Sequence, residues 1–328
     1  MLSHIQIYFN SQDIYFPRNK INVSKKEEEL DLEILVTGGF GFIGSHLVKK
    51  LVSEGHKIVV LDNLSTGSKK NLEGLDVKRL SYSAGYIQFL NEKFDLIFHL
   101  GIPSTSLFYK DNPQLVSSVI KDWISVLEYA RVNNSKIVYG STSSLYNGNT
   151  LPCEEDMPIF ITDIYTEAAY YVERLAYLYD TLYDVNSIGL RLFSVYGPGE
   201  ESKGKYANVI SQFLWNMKKG EPVVLYGKGN QERDFVFIDD VVDALNLAAK
   251  FNGKSDIFNV GTGISYSLTN AIKLIEKESK IKAKKSFIPN PIGNYVFNTQ
   301  ANTTKSKELL HFEAKVDLQN GIRKLLEK

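Results

Sequence analysis

Residues 33–48 read EILVTGGFGFIGSHLV, and this stretch decides the fold. An apolar run, Ile34 to Val36, is followed by a glycine-rich turn and then by an amphipathic run from His46. The pattern predicts a buried strand, a tight turn and the start of a helix. Such a turn places bare backbone N–H groups and the positive end of a helix dipole where a pyrophosphate can bind.

Three glycines of this turn each have a separate task in this interpretation. Gly38 allows the tight turn that leaves the strand, Gly41 lets a phosphate approach the backbone, and Gly44 lets the helix pack close to the sheet. The spacing is GxxGxxG, not the GxGxxG of the usual dinucleotide fingerprint. Glycine triplets also occur in ordinary turns, so the interpretation depends on the residues around them.

A carboxylate supports the dinucleotide interpretation. A second apolar run, Ile58 to Leu61, ends in Asp62, eighteen residues after Gly44. An acidic side chain at the end of the second strand can accept both hydroxyls of an adenosine ribose. No arginine occupies positions 63–65, where it could receive a 2′-phosphate. The strand, turn, helix and acidic residue together predict a dinucleotide site that prefers NAD to NADP.

The composition excludes several other classes of protein. The chain has 328 residues and a formal net charge of zero, so it carries neither a nucleic-acid footprint nor a polybasic membrane patch. Its single cysteine, Cys153, permits no internal disulfide and favours a reducing, cytoplasmic location. The five histidines lack ligand-like spacing, so we expect no metal site. No apolar run approaches the ~20 residues of a membrane span.

From residue 32 onward, apolar runs alternate with helical patterns. The predicted strands are Ile34–Val36, Ile58–Leu61, Leu96–Leu100, Ile137–Tyr139 and Ile188–Leu192, and the clearest helices are Leu115–Ala130 and Ala168–Leu182. This alternation predicts an α/β protein with a Rossmann-type, doubly wound parallel sheet. After residue 199 helical and extended pieces mix, which predicts a smaller C-terminal α/β lobe for the substrate.

We therefore divide the chain into three parts. Residues 31–195 are expected to form the NAD-binding domain, with 234–262 returning to it, and 196–328 to form mainly the substrate-binding lobe. The N-terminal extension, 1–30, is interpreted as a flexible tail or a wrongly assigned start, in preference to an added strand or a partner-binding arm. The active site should lie between the lobe and the carboxyl edge of the sheet.

Hydroxyl groups cluster where the chemistry of the site is expected. Ser141 to Ser144 follow a predicted strand, and Tyr165 opens a helical run. A Ser or Thr hydroxyl can polarise a substrate oxygen while a Tyr moves its proton, which suits carbonyl–alcohol redox chemistry. Hydroxyl side chains also cap helices, and most tyrosines only pack. The residues by themselves leave both interpretations open.

The chain resembles the extended short-chain dehydrogenase/reductases in seven segments, which occur in the same order. Within them it resembles the NAD-dependent nucleotide-sugar epimerase/dehydratase group, with UDP-glucose 4-epimerase as the type. The segments are TGGFGFIGSHL (37–47), LDNLSTG (61–67), FHLG (98–101), STSSLYN (141–147), LRLFSVYGPG (190–199), GNQERDFVFIDDVVDAL (229–245) and FNVGTG (258–263). The resemblance implies bound NAD and oxidation of a sugar hydroxyl to a ketone. Epimerisation, dehydration or decarboxylation would follow, usually with return of the hydride.

The resemblance also implies roles for individual residues. Thr142 and Tyr165 would be catalytic. The expected cofactor-binding residues are Gly38, Phe40, Gly41, Phe42, Ile43, Gly44, Asp62, Asn63, Leu100 and Gly101, and the expected substrate-binding residues are Ser104, Thr105, Ser194 and Arg233. Arg233 matches a phosphate-binding arginine of the family, with a surface ion pair to Glu232 or Asp234 as the alternative. Ser104 and Thr105 could equally be loop and cap formers.

One position departs from the family in a way that matters for chemistry. The family's YxxxK helix puts a lysine at position 169, and this chain has Ala169. Arg174, nine residues after Tyr165, would point to the opposite side of the helix. A tyrosine of ordinary pKa is only ~0.1% ionised at pH 7. We therefore expect a redox step slower by ~100- to 1000-fold unless another cation reaches Tyr165.

Three functions remain open at this point. The first is an NAD-dependent epimerase or dehydratase of a nucleotide diphosphate sugar, UDP-linked by resemblance and acting as a homodimer through the helices of residues 115–130 and 168–182. The second is a catalytically weakened homologue that binds the same ligands in a regulatory or assembly role. The third is a reductase of non-sugar carbonyls, which Arg233 and the C-terminal lobe disfavour.

Overall fold

The computed structural model describes residues 32–291 and 295–327. The N-terminal extension predicted at 1–30 lies outside the described residues. The part of the chain from Asp31 onward forms one compact unit. Among the helices of the described part, none has both the length and the apolar character that crossing a membrane requires.

The described residues form strands and helices in alternation. The strands are β1 (Glu33–Thr37), β2 (Lys57–Leu61), β3 (Lys78–Leu80), β4 (Leu96–His99), β5 (Lys136–Thr142), β6 (Ser187–Leu192), β7 (Ser194–Tyr196), β8 (Val223–Tyr226), β9 (Glu232–Phe237), β10 (Asp256–Val260), β11 (Ser265–Ser267) and β12 (Lys285–Ile288). The helices are α1 (Phe42–Ser53), α2 (Ser106–Asp111), α3 (Leu115–Asn133), α4 (Ile164–Tyr183), α5 (Val209–Lys219), α6 (Ile238–Lys250), α7 (Leu268–Ser279), α8 (Thr304–Leu309) and α9 (Leu318–Leu326).

The main sheet has seven strands in the order β10-β6-β5-β4-β1-β2-β3. All of its strand pairs are parallel. The predicted fold class, a Rossmann-type doubly wound α/β sheet, is therefore confirmed. Because parallel strands end at the same edge, the residues after β1, β2, β4 and β5 meet at the carboxyl edge, where ligands of such sheets bind.

Strand β1 shows why the sheet is central. Its side chains alternate between two hydrophobic clusters, with Ile34 and Val36 in one and Leu35 in the other. All three are fully buried. A strand that is apolar on both faces needs helices on both sides, which is the situation of a parallel sheet in an α/β protein.

Two smaller sheets are formed by strands from β7 onward. One has the order β11-β9-β7 and the other pairs β12 with β8. Strand β10 instead pairs with β6 at the edge of the main sheet. The division into a NAD-binding part, 31–195, and a substrate-binding part, 196–328, stays a prediction, because both parts belong to one compact unit.

Two local features set the position of the expected catalytic residues. Strand β5 continues to Thr142, three residues beyond its predicted end, so Thr142 lies at the carboxyl edge of the sheet. Helix α4 begins at Ile164, immediately before Tyr165. Asp163 caps this helix by accepting a hydrogen bond from the Thr166 N–H at 2.7 Å, and the Thr166 hydroxyl accepts one from the Asp163 N–H at 3.1 Å. This capping box fixes the first turn, which carries Tyr165.

Candidate active site

The glycine turn connects β1 to α1 and packs against the end of β4. A Cβ on Gly38 would lie 2.7 Å from the backbone of Leu100 and of Gly101, and one on Gly44 would lie 2.2 Å from the Gly38 carbonyl oxygen. Gly38 also has φ of +70°. These two glycines therefore allow backbone to approach backbone. Gly41 differs, because only the Gly38 carbonyl, at 3.1 Å, lies within 4 Å of its Cβ direction. Its surroundings leave space for a ligand.

The first turn of α1 is suited to binding an anion. Gly41 is its N-cap, no side chain caps it, and no acidic residue occupies its first turn. The first N–H groups of a helix have no partner within the helix, so they attract a phosphate. Phe40 and Phe42 bury their rings and Ile43 is half-buried, so these residues would serve a ligand through their backbone. The turn fits a dinucleotide pyrophosphate.

Asp62 lies beside this turn at the end of β2. Its carboxylate accepts hydrogen bonds from the N–H groups of Phe40 at 3.0 Å and Leu64 at 2.7 Å. Burial raises the pKa of Asp62, and the backbone donors lower it in part. An ionised carboxylate has about four acceptor positions, so it can hold the turn and still accept ribose hydroxyls. Asn63 is exposed and accepts from the Ser65 N–H at 3.0 Å.

His99 is the last residue of β4, and its side chain is buried. Its Nδ1 lies 2.9 Å from the Thr37 hydroxyl, and its ring stacks on Trp123 with centroids 5.0 Å apart. The same Thr37 oxygen accepts from the Gly101 N–H at 3.2 Å. Burial lowers the pKa of His99 to about 3. The histidine is therefore a neutral structural link between the ends of β1 and β4.

The buried histidine predicts a loss of stability in acid. Between its folded pKa of about 3 and its ordinary value of 6.5, the unfolded chain binds more protons than the folded one. Stability should therefore fall as pH drops below 6.5, by about 2 kcal/mol between pH 7 and pH 5. Urea unfolding of wild type and His99→Asn at both pH values measures this. His99→Asn should lose less stability between the two pH values than the wild type does. His311→Asn, at an exposed site, is the matched control and should lose as much stability as the wild type. Equal losses in wild type and His99→Asn would contradict the assignment.

The two expected catalytic residues lie together. The Thr142 hydroxyl accepts from the Ser144 N–H at 3.1 Å and lies near enough to the Tyr165 phenol to act on its pKa. Both side chains are 8% exposed. Burial raises the pKa of Tyr165 to about 12, the Thr142 hydroxyl lowers it in part, and Asp163 raises it further. At that pKa only about one phenol in 10⁵ is ionised at pH 7.

The position expected to hold lysine is Ala169, one turn along α4 from Tyr165. Ala169 is buried, with 6% exposure. Among the described residues, no lysine, arginine or histidine contributes to the pKa of Tyr165. Arg174 is exposed and its guanidinium lies over the Tyr170 ring, 5.6 Å from the centroid. The described residues therefore leave the phenol without a neighbouring cation.

A buried ion pair holds this corner of the site in place. The Arg191 guanidinium donates to both Glu173 oxygens, at 2.9 and 2.7 Å, and both side chains are 3% exposed. The Ser141 hydroxyl donates to the same carboxylate at 2.6 Å, and Arg191 also donates to the Tyr146 hydroxyl at 2.8 Å. Helix α4, β5 and β6 are thereby tied together next to Thr142.

A cavity of about 770 Å³ is lined by residues that flank Thr142 and Tyr165 in the chain, although Thr142 and Tyr165 do not line it themselves. Their neighbours Ser143, Ser144 and Asp163 line it, as does Arg233. Of the four expected substrate-binding residues, three line the cavity: Thr105, Ser194 and Arg233. Ser104 is exposed and does not. Thr105 is also the N-cap of α2, accepting from the Leu107 N–H at 3.5 Å.

Arg233 is a cation without a carboxylate partner among the described residues. Its guanidinium donates to the backbone carbonyls of Glu232 at 2.8 Å, Phe297 at 2.7 Å and Val296. The carboxylate of Asp234 instead accepts from the Thr262 and Gly263 N–H groups. Burial lowers the pKa of Arg233. The alternative of an ion pair with Glu232 or Asp234 is therefore wrong, and the charge faces the cavity.

Sequence reasoning missed several residues of the cavity wall. Tyr109 and Tyr295 line it, and so does Tyr206, whose ring stacks on Phe108 with centroids 4.1 Å apart. Tyr109 lies in the short helix α2, Tyr206 ends a 3₁₀ helix and Tyr295 lies in a loop, so no local sequence pattern indicated that they share a location. Within the described ranges, no three His, Cys, Asp or Glu side chains are grouped to hold a metal ion.

Comparison with known proteins gives the same answer at the level of the family. Residues 34–261 match the profile of the NAD dependent epimerase/dehydratase family. UDP-glucose 4-epimerase of Mycolicibacterium smegmatis is 31% identical over 90% of this chain and 98% of its own length. ADP-L-glycero-D-manno-heptose-6-epimerase of Brachyspira hyodysenteriae is 32% identical over 90% and 96%.

Solved structures agree with these relatives. UDP-glucose 4-epimerase of Thermotoga maritima, in a structure with UDP-glucose, superposes with a TM-score of 0.85 at 29% identity, covering 90% of this chain and 98% of its own. UDP-glucose 4-epimerase of Thermus thermophilus, in complex with NAD, gives 0.83 at 26% identity, covering 90% and 98%. The predicted cofactor, NAD, is the cofactor of the matched family.

Proposed function

The chain belongs to the NAD dependent epimerase/dehydratase family, and we propose that it oxidises a hydroxyl of a UDP-linked sugar as the first step of an epimerase or dehydratase reaction. The observation that carries this proposal is one cavity whose wall holds the chain neighbours of Thr142 and Tyr165, namely Ser143 and Ile164, together with Arg233. The hydroxyl pair would supply a proton relay, and the half-buried guanidinium of Arg233 would supply a cation for a diphosphate.

The residues of the chain have distinct tasks in this mechanism. The glycine turn and Asp62 would hold NAD, which when bound accepts a hydride from the sugar carbon. The Thr142 hydroxyl would orient the reacting sugar oxygen, and the Tyr165 phenol would take its proton. Arg233 would anchor the diphosphate through its planar donor pairs.

A second candidate function rests on a specific observation. Ala169 replaces the expected lysine, and the Tyr165 phenol has a pKa raised to about 12. A site of this kind binds both ligands but transfers the proton slowly. We therefore keep a weakened homologue with a regulatory or assembly role as the alternative.

A turnover assay separates the two functions. The purified protein is incubated with NAD and, separately, with UDP-glucose, UDP-galactose, UDP-glucuronate and dTDP-glucose, and products are followed by chromatography. Conversion of any of them, even slow, supports the enzyme. Binding of NAD and of a nucleotide sugar without conversion of any supports the regulatory alternative.

Arg233 predicts a loss of nucleotide affinity. Replacing it with alanine removes charge-assisted hydrogen bonds to a diphosphate, so the affinity for UDP should fall about 10- to 100-fold. Titration calorimetry on NAD-loaded protein measures this, with Arg174→Ala, at an exposed site on α4, as the matched control. If Arg233→Ala binds UDP as tightly as the control variant, the guanidinium does not hold the diphosphate.

We also propose that the protein is a homodimer through α3 and α4. The two helices pack together, and the Tyr179 hydroxyl of one donates to Glu128 of the other at 2.7 Å. Their outer faces expose large apolar side chains, namely Ile124, Val132, Tyr177, Leu178, Leu182 and Tyr183. Light scattering should give twice the mass of one chain, and Leu182→Glu should give a monomer. A monomeric wild type at micromolar concentration would contradict the proposal.

A further inference from the structure

Tyr109 carries a hydroxyl that the fold leaves without a partner. Its side chain is 1% exposed, and its oxygen is buried and makes no hydrogen bond within the described residues. Buried hydroxyls in folded proteins nearly always have a partner, and an exception calls for an explanation. Leaving such a group unpaired is unfavourable, so a ligand that supplies the missing partner gains affinity from it.

The location of this phenol indicates which ligand supplies that partner. Tyr109 lies on α2 and lines the cavity described above. Its ring is 5.7 Å from the Tyr165 ring, centroid to centroid, at an interplanar angle of 37°. The ring of Tyr109 is thus close to the residue that would take the proton of the reacting sugar.

The charge state of Tyr109 fits hydrogen bonding to a neutral sugar. Burial raises the pKa of Tyr109, and Tyr165 and Asp163 raise it further. The phenol therefore stays protonated at neutral pH and can both donate to and accept from a sugar hydroxyl. Ser104 and Thr105, the residues that sequence reasoning selected for sugar contact, fit less well. Ser104 does not line the cavity, and the Thr105 hydroxyl already caps α2.

We propose that Tyr109 is a sugar-recognition residue, whose hydroxyl hydrogen-bonds a ring hydroxyl of the nucleotide sugar held beside Tyr165. This inference rests on the proposed function, since it needs a nucleotide sugar in the cavity. It adds that the sugar end of the ligand lies between α2 and the start of α4, with the diphosphate toward Arg233. It assigns to Tyr109 a binding role and leaves proton transfer to Tyr165.

The variant Tyr109→Phe separates recognition from packing. It removes one oxygen and leaves the ring, so it should not lower the Tm, because the oxygen has no partner to lose. The affinity for a nucleotide sugar should fall about 10-fold, while the affinity for the matching nucleoside diphosphate stays unchanged. A residue that served only the packing of α2 would give no such difference between the two ligands.

Tyr129→Phe is the matched control. The Tyr129 hydroxyl donates to the Glu92 carbonyl at 2.5 Å and lies outside the cavity. Its removal should lower the Tm and leave both affinities unchanged. The two tyrosines thus predict opposite results: Tyr109→Phe changes sugar binding without loss of stability, and Tyr129→Phe changes stability without loss of sugar binding.

The measurement is titration calorimetry of NAD-loaded wild type and both variants with UDP, UDP-glucose, UDP-galactose and UDP-glucuronate. A 10-fold loss in Tyr109→Phe for the sugar nucleotide that wild type binds most tightly, with UDP binding unchanged, is the expected result. If Tyr109→Phe binds that nucleotide with the affinity of the wild type, the inference about Tyr109 is overturned and the proposed function is not. Absence of binding of UDP and of every UDP-sugar to wild type would overturn the proposed function, and the inference with it.

Discussion

The variant Ala169→Lys should oxidise its sugar substrate about 100-fold faster than the wild type. The Tyr165 phenol has a pKa raised to about 12, and among the described residues no cation acts on it. A lysine one helical turn away would stand on the same face of α4 as Tyr165. Lowering the pKa of the phenol by about two units would increase its ionised fraction about 100-fold at neutral pH.

The control for this variant has a side chain of similar bulk at position 169 but without the charge. Ala169→Met adds a flexible side chain of similar length at the same buried position. Single-turnover formation of reduced nicotinamide measures the redox step in both variants, and calorimetry checks that both still bind NAD. A faster lysine variant with an unchanged methionine variant supports the charge argument. Equal rates in wild type and the lysine variant, with NAD bound, would show that the phenol is not what limits the reaction.

The variant Glu173→Ala should have a free energy of unfolding about 3–5 kcal/mol lower than that of the wild type. It leaves the Arg191 guanidinium, which is 3% exposed, without the carboxylate that pairs with it at 2.7 Å. A buried charge that loses its partner keeps its desolvation cost. The same carboxylate accepts the Ser141 hydroxyl at 2.6 Å, so the end of β5 should loosen too.

Urea unfolding measures this effect, and an exposed pair provides the comparison. Glu313 pairs with Lys307 at 2.9 Å, with exposures of 69% and 61%. Its replacement by alanine should change stability by less than ~1 kcal/mol, because solvent screens an exposed pair. If Glu173→Ala is no more destabilising than Glu313→Ala, the buried pair contributes nothing to the fold. The double variant Glu173→Leu/Arg191→Met should recover part of the loss, since it removes both charges.

The main sheet could be predicted because its strands are short apolar runs with turn residues between them. Ile34 to Val36 is buried on both faces, so its sequence has no polar alternation to obscure it. Strand β3, Lys78–Leu80, was missed for the opposite reason. It is a three-residue edge strand whose lysine and arginine are exposed, and nothing in that composition distinguishes it from a loop.

The environment of Arg233 could have been predicted more sharply from the sequence. Successive residues of a strand point to opposite faces, so Glu232 and Asp234 share the face opposite Arg233. The structure follows this rule, since the Asp234 carboxylate accepts from Thr262 and Gly263, and Arg233 lines the cavity. Strand periodicity alone argues against the ion pair that the sequence left open.

Other properties of the site could not be found in the sequence. That Tyr109 lacks a hydrogen-bond partner depends on everything packed around α2, and its closeness to Tyr165 joins residues 56 positions apart. Likewise, the sequence predicted that Asp62 binds a ribose but not that it accepts the Phe40 N–H at 3.0 Å. Such facts arise from tertiary contacts that no local pattern records.

The central claim is that this chain binds NAD and a nucleotide sugar in one site and oxidises the sugar through Tyr165, slowly because Ala169 supplies no charge. The most direct test is a single-turnover experiment in which NAD-loaded protein is mixed with each UDP-sugar and the absorbance of reduced nicotinamide is followed. The account predicts a slow rise with at least one sugar, which Tyr165→Phe abolishes and Ala169→Lys accelerates. Firm binding of NAD and the sugar with no reduced nicotinamide in either wild type or the lysine variant would contradict it.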